Sequence, residues 1–341
     1  MVREVISWEV VMLSTFLATL DPMLMLFLCI AVGFLARKTK ILPENAGKVM
    51  AKMETWIFCP ALGFVTMATR FTVTELLENA QNLLLSCLIV AFAMGLAIFL
   101  ARFFVKDKNA YERGVYKYAL TFGNGGYVGD PLVLALFGAA GLGFYKVYYL
   151  PLNIIIYTWG ISVLVPHGEN KESVFKKLLN APTVGLLAGM LVGITGLGAH
   201  MPVFLTNTLD SLKNCMGPVA MLLCGFTVAG YPMKEMLSQK KVYVATLLRL
   251  VLLPSVLVAV LFGVKTLANA LFGLSIGNNV LFLAFFAFAT PLGMNTIVYP
   301  EAFGGNPKTG ASMALISHTL CVVSIPLMYA LMTAIFGAPT F

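Results

Sequence analysis

Phe122-Gly-Asn-Gly-Gly-Tyr-Val-Gly-Asp-Pro131 stands in the middle of an otherwise apolar block of span length. Proline removes an i to i−4 hydrogen bond and clashes with the preceding turn at a cost of about 3 kcal/mol, and glycine adds up to about 1 kcal/mol each. Four glycines, Asn124, Asp130 and Pro131 together make local unwinding inexpensive. Unpaired N–H and C=O groups in hydrocarbon are costly, so such a break survives only when buried in protein or lining a wet cavity.

A second stretch repeats the pattern. Thr290-Pro-Leu-Gly-Met-Asn-Thr296 also lies near the centre of an apolar block, and Pro291 follows Pro131 by 160 residues. Pro60, in Lys52-Met-Glu-Thr-Trp-Ile-Phe-Cys-Pro60, and Pro218, in Asp210-Ser-Leu-Lys-Asn-Cys-Met-Gly-Pro218, are 158 residues apart, so nearly the same offset recurs. Two breaks at corresponding places of two halves point to a binding site at the interface of an internal repeat.

The blocks themselves set the fold class. Hydrophobic residues make up 59% of the 341 residues and charged residues 11%, against roughly 25% charged in a soluble domain. Apolar runs of about 20 residues match a helix crossing ~30 Å of hydrocarbon. Ten spans are expected, over 15–36, 45–69, 80–104, 114–137, 143–165, 181–198, 205–230, 242–265, 279–300 and 309–336. The reading is an all-α polytopic membrane protein built as a 5+5 inverted repeat, 1–165 and 181–341, joined by a cytoplasmic connector at 166–180, with helices 4 and 9 interrupted and crossed. Five crossings per half force the second half to enter from the opposite face.

Of the 23 Lys and Arg residues, 18 fall on one set of connectors and adjoining span ends and five on the other. The positive-inside rule then places both termini outside a plasma membrane. The formal net charge of +8 is scattered over these connectors, which fits topology signalling and not a nucleic-acid surface. The first apolar block is span-length, so an uncleaved first helix is expected. Six cysteines, all in apolar spans without CxxC spacing, read as small buried residues. No metal or cofactor is expected, and the lipid bilayer is the constant partner.

Residues 122–138, Phe-Gly-Asn-Gly-Gly-Tyr-Val-Gly-Asp-Pro-Leu-Val-Leu-Ala-Leu-Phe-Gly, resemble the fourth-helix signature of the auxin efflux carrier family, whose bacterial members carry a Gly-Asn-x-Gly-x-x-Gly-x-Pro core. Arg249 with Pro254, Pro291 with Asn295, Gly304-Gly-Asn-Pro307 and the Ser317 to Pro326 run extend the likeness over nearly the whole chain. The resemblance implies a ten-helix fold, elevator-type alternating access, a scaffold including spans two and seven, and carriage of organic anions such as indole acids or small dicarboxylates. The short central connector looks like compact bacterial members. The sequence departs from the family at Asp130, usually apolar, and at His318, usually small or hydroxylic.

The residues at the breaks are the candidate substrate ligands: Asn124, Gly125, Gly126, Tyr127, Pro131, Thr290, Pro291, Asn295 and Thr296, with Tyr127, Thr290 and Thr296 equally able to satisfy backbone carbonyls freed by the breaks. Half-helix N-termini present free N–H groups and roughly +0.5 charge, enough to hold a carboxylate without arginine. Asp130 is a candidate for H+ or Na+ coupling, with a helix cap as the alternative. His318 is a second coupling candidate, against a packing role. Arg249 is expected to snorkel to the inner surface, with approach to an anion as the alternative, Tyr299 to lie at the interface, and Asp21 to cap a helix start before Pro22. Gly185, Gly189 and Gly193 read as packing glycines. A homodimer is permitted by a long apolar scaffold face. The competing functions are a channel, without a selectivity-filter repeat, and a membrane-embedded enzyme, for which no HExxH, GxSxG or paired acids are present.

Overall fold

The computed structural model of the chain describes residues 8–104, 110–165 and 180–339, and every regular element among them is helical. The first part runs α1 (Trp8–Lys38), α2 (Ala46–Met53), a π-helical turn (Glu54–Phe58), α3 (Cys59–Arg70), α4 (Val73–Glu78), α5 (Ala80–Phe104), α6 (Ala110–Thr121), a second π turn (Gly125–Gly129) and α7 (Asp130–Tyr148). It closes with α8 (Leu150–Ile155), a π turn (Ile156–Gly160) and α9 (Ile161–Leu164). The rest runs α10 (Ala181–Ile194), α11 (Val203–Ala229), α12 (Met233–Leu237), α13 (Lys240–Leu247), a π turn (Leu248–Leu252), α14 (Leu253–Phe272), α15 (Asn278–Ala289), α16 (Asn295–Phe303) and α17 (Lys308–Phe336).

Six helices among the described residues are long and apolar enough to cross a membrane: Thr19–Lys38, Ala80–Phe104, Gly125–Tyr148, Val203–Ala229, Lys240–Phe272 and Lys308–Phe336. Leu150–Leu164, Ala181–Ile194 and Asn278–Ala289 are apolar but shorter. The chain is therefore an integral, multi-pass helical membrane protein. The 166–180 connector, apart from Asn180, lies outside the described residues, as do Lys106, Lys108, Lys171, Lys176 and Lys177.

Local geometry follows the prolines. Three of the π turns end two residues before a proline, at Pro60, Pro131 and Pro254. A proline offers no N–H to the preceding turn and its ring crowds the carbonyl four residues back, so that turn widens. The rule has limits: Pro218 lies inside α11 without a π turn, so the Pro60 and Pro218 pair agrees in sequence but not in shape. Pro22 likewise sits within α1, which makes Asp21 a mid-helix residue and not the expected cap at a helix start. Within α7, Gly138 takes φ 66° and ψ −170°, a conformation open to glycine, and kinks the helix between the expected fourth and fifth spans.

Glycine also sets the closest packing. A Cβ at Gly33 would meet the Leu222 carbonyl, and one at Gly225 the Ile30 carbonyl, so α1 and α11 cross backbone to backbone. Gly185, Gly189 and Gly193 bring α10 equally close to α3, at the carbonyls of Pro60, Phe64 and Met67, as expected of packing glycines. All six cysteines are free thiols; Cys59, Cys224 and Cys321 are buried, but Cys87 and Cys215 are exposed on outward helix faces, contrary to the expectation that all were buried.

Candidate binding site where two helix breaks cross

Both breaks exist, and they touch. Residues 122–124 are unwound between α6 and the π turn at Gly125, and residues 290–294 are unwound between α15 and α16. The Asn124 N–H donates to the Pro291 carbonyl at 2.7 Å, and Gly123 pairs antiparallel with Leu292. The Leu292 N–H donates to Ser317 Oγ at 3.2 Å. Each break thus satisfies part of the other's backbone, which is what hydrocarbon depth demands. Glycine is required at 123, because a Cβ there would collide with Thr290 Oγ1 and Arg249 Nη2.

The remaining carbonyls go to Arg249. Its Nη1 donates to Leu120 O at 3.0 Å and Thr121 O at 3.2 Å, its Nε donates to Thr290 O at 3.3 Å, and its guanidinium carbon stands 5.6 Å from the Phe288 ring centre. The side chain is completely buried, which overturns the expected snorkelling. The C-terminal ends of α6 and α15 converge here, two negative dipole ends whose carbonyls lack intrahelical partners, and one planar cation serves both. Arg249 holds the crossing together from behind.

In front lies a cavity of about 50 Å³, room for a few waters at roughly 10–15 Å³ each. Asn124, Gly125, Gly126, Tyr127 and Asn295 line it from the breaks, and Leu62, Gly63 and Thr66 line it from α3. The N-terminal ends of the Gly125 turn and of α16 border the same space, although in α16 the Thr296 and Ile297 N–H groups already donate to the Gly293 and Met294 carbonyls at 3.2 and 2.8 Å. Pro131, Thr290, Pro291 and Thr296 do not line it. Thr290 and Pro291 are buried behind the crossing, and Thr296 Oγ1 donates to the Gly293 carbonyl at 2.8 Å, so these side chains shape the break.

Asn124 Nδ2 lies 2.8 Å from His318 Nε2, and His318 Nδ1 lies 2.8 Å from the Ala314 carbonyl. The carbonyl can only accept, which puts the ring proton on Nδ1 and leaves Nε2 to accept from the Asn124 amide. Asn295 Nδ2 donates to Tyr118 Oη at 2.7 Å. The amide oxygens of both asparagines are buried without a hydrogen-bond partner. Asp130 accepts from Lys146 Nζ, both on the cavity wall, and Gly129, not Asp130, stands at the N-cap of α7. Tyr299 is fully buried beside α16's other core residues, not at an interface.

Lys146 and Tyr118, on the cavity wall, were not visible as site residues in the sequence, nor was Glu54, buried outside the lining. Lys146 reads as a connector charge, because its pairing with Asp130 depends on the Gly138 kink folding α7 back on itself. Glu54 and Arg249 share one signal readable in the sequence, a charged residue six and five residues before a mid-span proline, and the structure places both in π turns.

A family model described as membrane transport protein matches residues 18–329, and the chain belongs to that family, the auxin efflux carrier family. A protein described as an uncharacterized transporter of Methanocaldococcus jannaschii is 24% identical over 220 residues, covering 63% of this chain and 70% of that relative. A protein described as gluconate permease of Zymomonas mobilis is 30% identical over 74 residues, 22% of this chain and 16% of its own length.

Proposed function

We propose, starting from that family membership, that the chain is a secondary active transporter carrying a small organic anion, an indole acid or a mono- or dicarboxylate, through the crossing of the two breaks. The observation that carries the reading is the Asn124 N–H to Pro291 carbonyl bond at 2.7 Å beside a cavity walled by half-helix N-termini. N–H groups and dipole ends suit a carboxylate. The Lys146 ammonium neutralises Asp130 and removes the repulsion an isolated carboxylate would exert on an anion. The short likeness to a protein described as a gluconate permease is in keeping with a carboxylate cargo.

On this reading the ligands are Asn124, Gly125, Gly126, Tyr127 and Asn295, with Pro131, Thr290, Pro291 and Thr296 fixing the backbone that presents them. Residues 1–165 and 181–341 form the inverted halves of a ten-helix protein in the plasma membrane with both termini outside. The packed α1, α3, α10 and α11 act as the scaffold along which the crossing moves. A homodimer through that scaffold and coupling to H+ or Na+ complete the proposal. Asp130 and His318 serve it by charge balance and by orienting Asn124.

Proteoliposomes test it. Saturable uptake of labelled succinate, gluconate or indole-3-acetate is expected, and Asn124→Leu or Asn295→Leu abolishes it while the purified protein keeps its monodisperse elution. Undiminished uptake in both variants would remove the crossing from the pathway.

A further inference from the structure

Glu54 is the most deeply buried carboxylate among the described residues, at 0% exposure in the π turn before α3. Its Oε2 accepts from Tyr127 Oη at 3.4 Å, its Oε1 has no hydrogen-bond partner, and none of the ion pairs among the described residues includes it. Around it stand the hydroxyls of Tyr127 and Tyr157 and the thiol of Cys59, contributed by two other π turns and α3, with Tyr299 of α16 beyond them beside Cys59 and Tyr127. The neighbouring face of α11 offers backbone at Ala220, and α10, packed on the same turn, contains no titratable residue. On its own span Lys52 points outward.

An ionised carboxylate in such surroundings costs several kcal/mol, since no cation compensates its lost hydration. One carboxylate oxygen and weak hydroxyl donors fall short of the five or six oxygens a metal cation gathers. The remaining neutraliser is a proton. The other intramembrane candidates have partners already: Asp130 has Lys146, and both ring nitrogens of His318 are engaged.

The position adds a mechanism. Glu54 sits between α2 and α3, on the side that packs against α10 and α11, whereas Tyr127 belongs to the crossing. Their hydrogen bond joins the two groups beside the cavity through a titratable side chain. We infer that Glu54 carries the coupling proton of the transport cycle and latches the crossing through Tyr127. The inference rests on the transport reading above. With the proton gone, the carboxylate grips the Tyr127 hydroxyl by a charge-assisted bond; with the proton on, the bond weakens and the crossing is released. The proton is taken up by the carboxylate from water on one side and returned to water on the other, so the carboxylate is regenerated and one H+ accompanies each cargo molecule.

The test compares the full chain with Glu54→Gln, a permanent mimic of the protonated acid, in proteoliposomes with labelled succinate, gluconate and indole-3-acetate. Wild type should accumulate cargo along an imposed pH gradient. Glu54→Gln should lose that accumulation at least tenfold while its cargo-for-cargo exchange stays within twofold. Accumulation by Glu54→Gln equal to wild type, wild-type accumulation indifferent to the pH gradient, or joint loss of exchange and accumulation in a folded variant would each overturn the inference. Should Glu54→Gln fail to insert, Tyr127→Phe replaces it: loss of the hydroxyl donor destabilises the carboxylate, so the pH of half-maximal accumulation must rise, and an unmoved profile refutes the latch. Infrared spectroscopy separates the two levels of the proposal. If no carboxylate is carried, the transport reading falls. A protonated-acid C=O band at neutral pH, absent in Glu54→Gln, then still shows the proton on Glu54, and its absence from wild type removes it.

Discussion

The two breaks are made of the same residue types and are finished differently. Around residues 122–129 the backbone opens to the cavity: Gly126 is exposed, and a Cβ there would meet nothing within 4 Å. Around 290–294 the packing is closer: each of these five residues is buried, and although Gly293 and Met294 reach the cavity, a Cβ at Gly293 would press Tyr118 at 3.2 Å and the Phe122 carbonyl at 3.3 Å. The first break opens its backbone to the cavity, and the second meets it as a packed wall with Asn295 at its edge. The difference shows that glycine and proline mark where a membrane helix can open, while packing from elsewhere decides whether the opening is wet.

Arg249 is where the comparison breaks most completely, because it supports both breaks. Arg249→Met leaves the carbonyls of Leu120, Thr121 and Thr290 without their donor. At about 1–3 kcal/mol for each of the three buried carbonyls left unsatisfied, the loss of about 3–9 kcal/mol is comparable to the whole stability of a folded protein. Collapse of the yield of monodisperse protein in detergent is expected. Arg249→Lys should fail as well, since a point ammonium cannot span three acceptors as the guanidinium fork does. A lysine variant with wild-type thermal stability would show that charge alone suffices.

Glycine pairs sharpen the contrast. Gly123→Ala drives a methyl into Thr290 and Arg249, with overpacking of about 1–3 kcal/mol expected and a lower unfolding temperature. Gly126→Ala meets open space, so stability should hold within about 1 kcal/mol, or rise. Its cost should instead show in cargo affinity, because the methyl enters the cavity. Thermal unfolding and uptake, measured on both variants, should dissociate in opposite senses. Equal destabilisation would mean that the first break is as closed as the second.

Much of this was legible in the sequence, for reasons that can be named. Residues 123–131 and 290–296 announce their breaks because proline and glycine act on their own backbone, and the site asparagines sit inside those stretches. Asp21, Tyr299 and Arg249 were misplaced because their surroundings come from distant segments. Arg249 sits at a depth from which a side chain could reach water, and only the convergence of α6 and α15 on it keeps it inside. The Asp130 and Lys146 pair was hidden for the same reason, as it forms through a kink at Gly138 that periodicity does not reveal.

His318 provides the finest test of which break faces the ligand. With its ring proton on Nδ1 toward Ala314, its Nε2 accepts one Asn124 amide hydrogen and holds that side chain in one orientation at the cavity. A positioning role predicts that His318→Leu, which cannot accept, weakens cargo binding by about 1 kcal/mol, roughly fivefold in KM, with little change in maximal rate. His318→Gln, whose amide oxygen can accept from Asn124, should recover most of that loss. A proton relay predicts otherwise: neither leucine nor glutamine titrates, so both variants would flatten the pH profile of uptake alike. Recovery by glutamine with an unaltered pH profile therefore assigns His318 to Asn124 and the open break. A profile flattened in both variants would move the histidine into the proton path and leave Asn124 oriented by Pro291 alone.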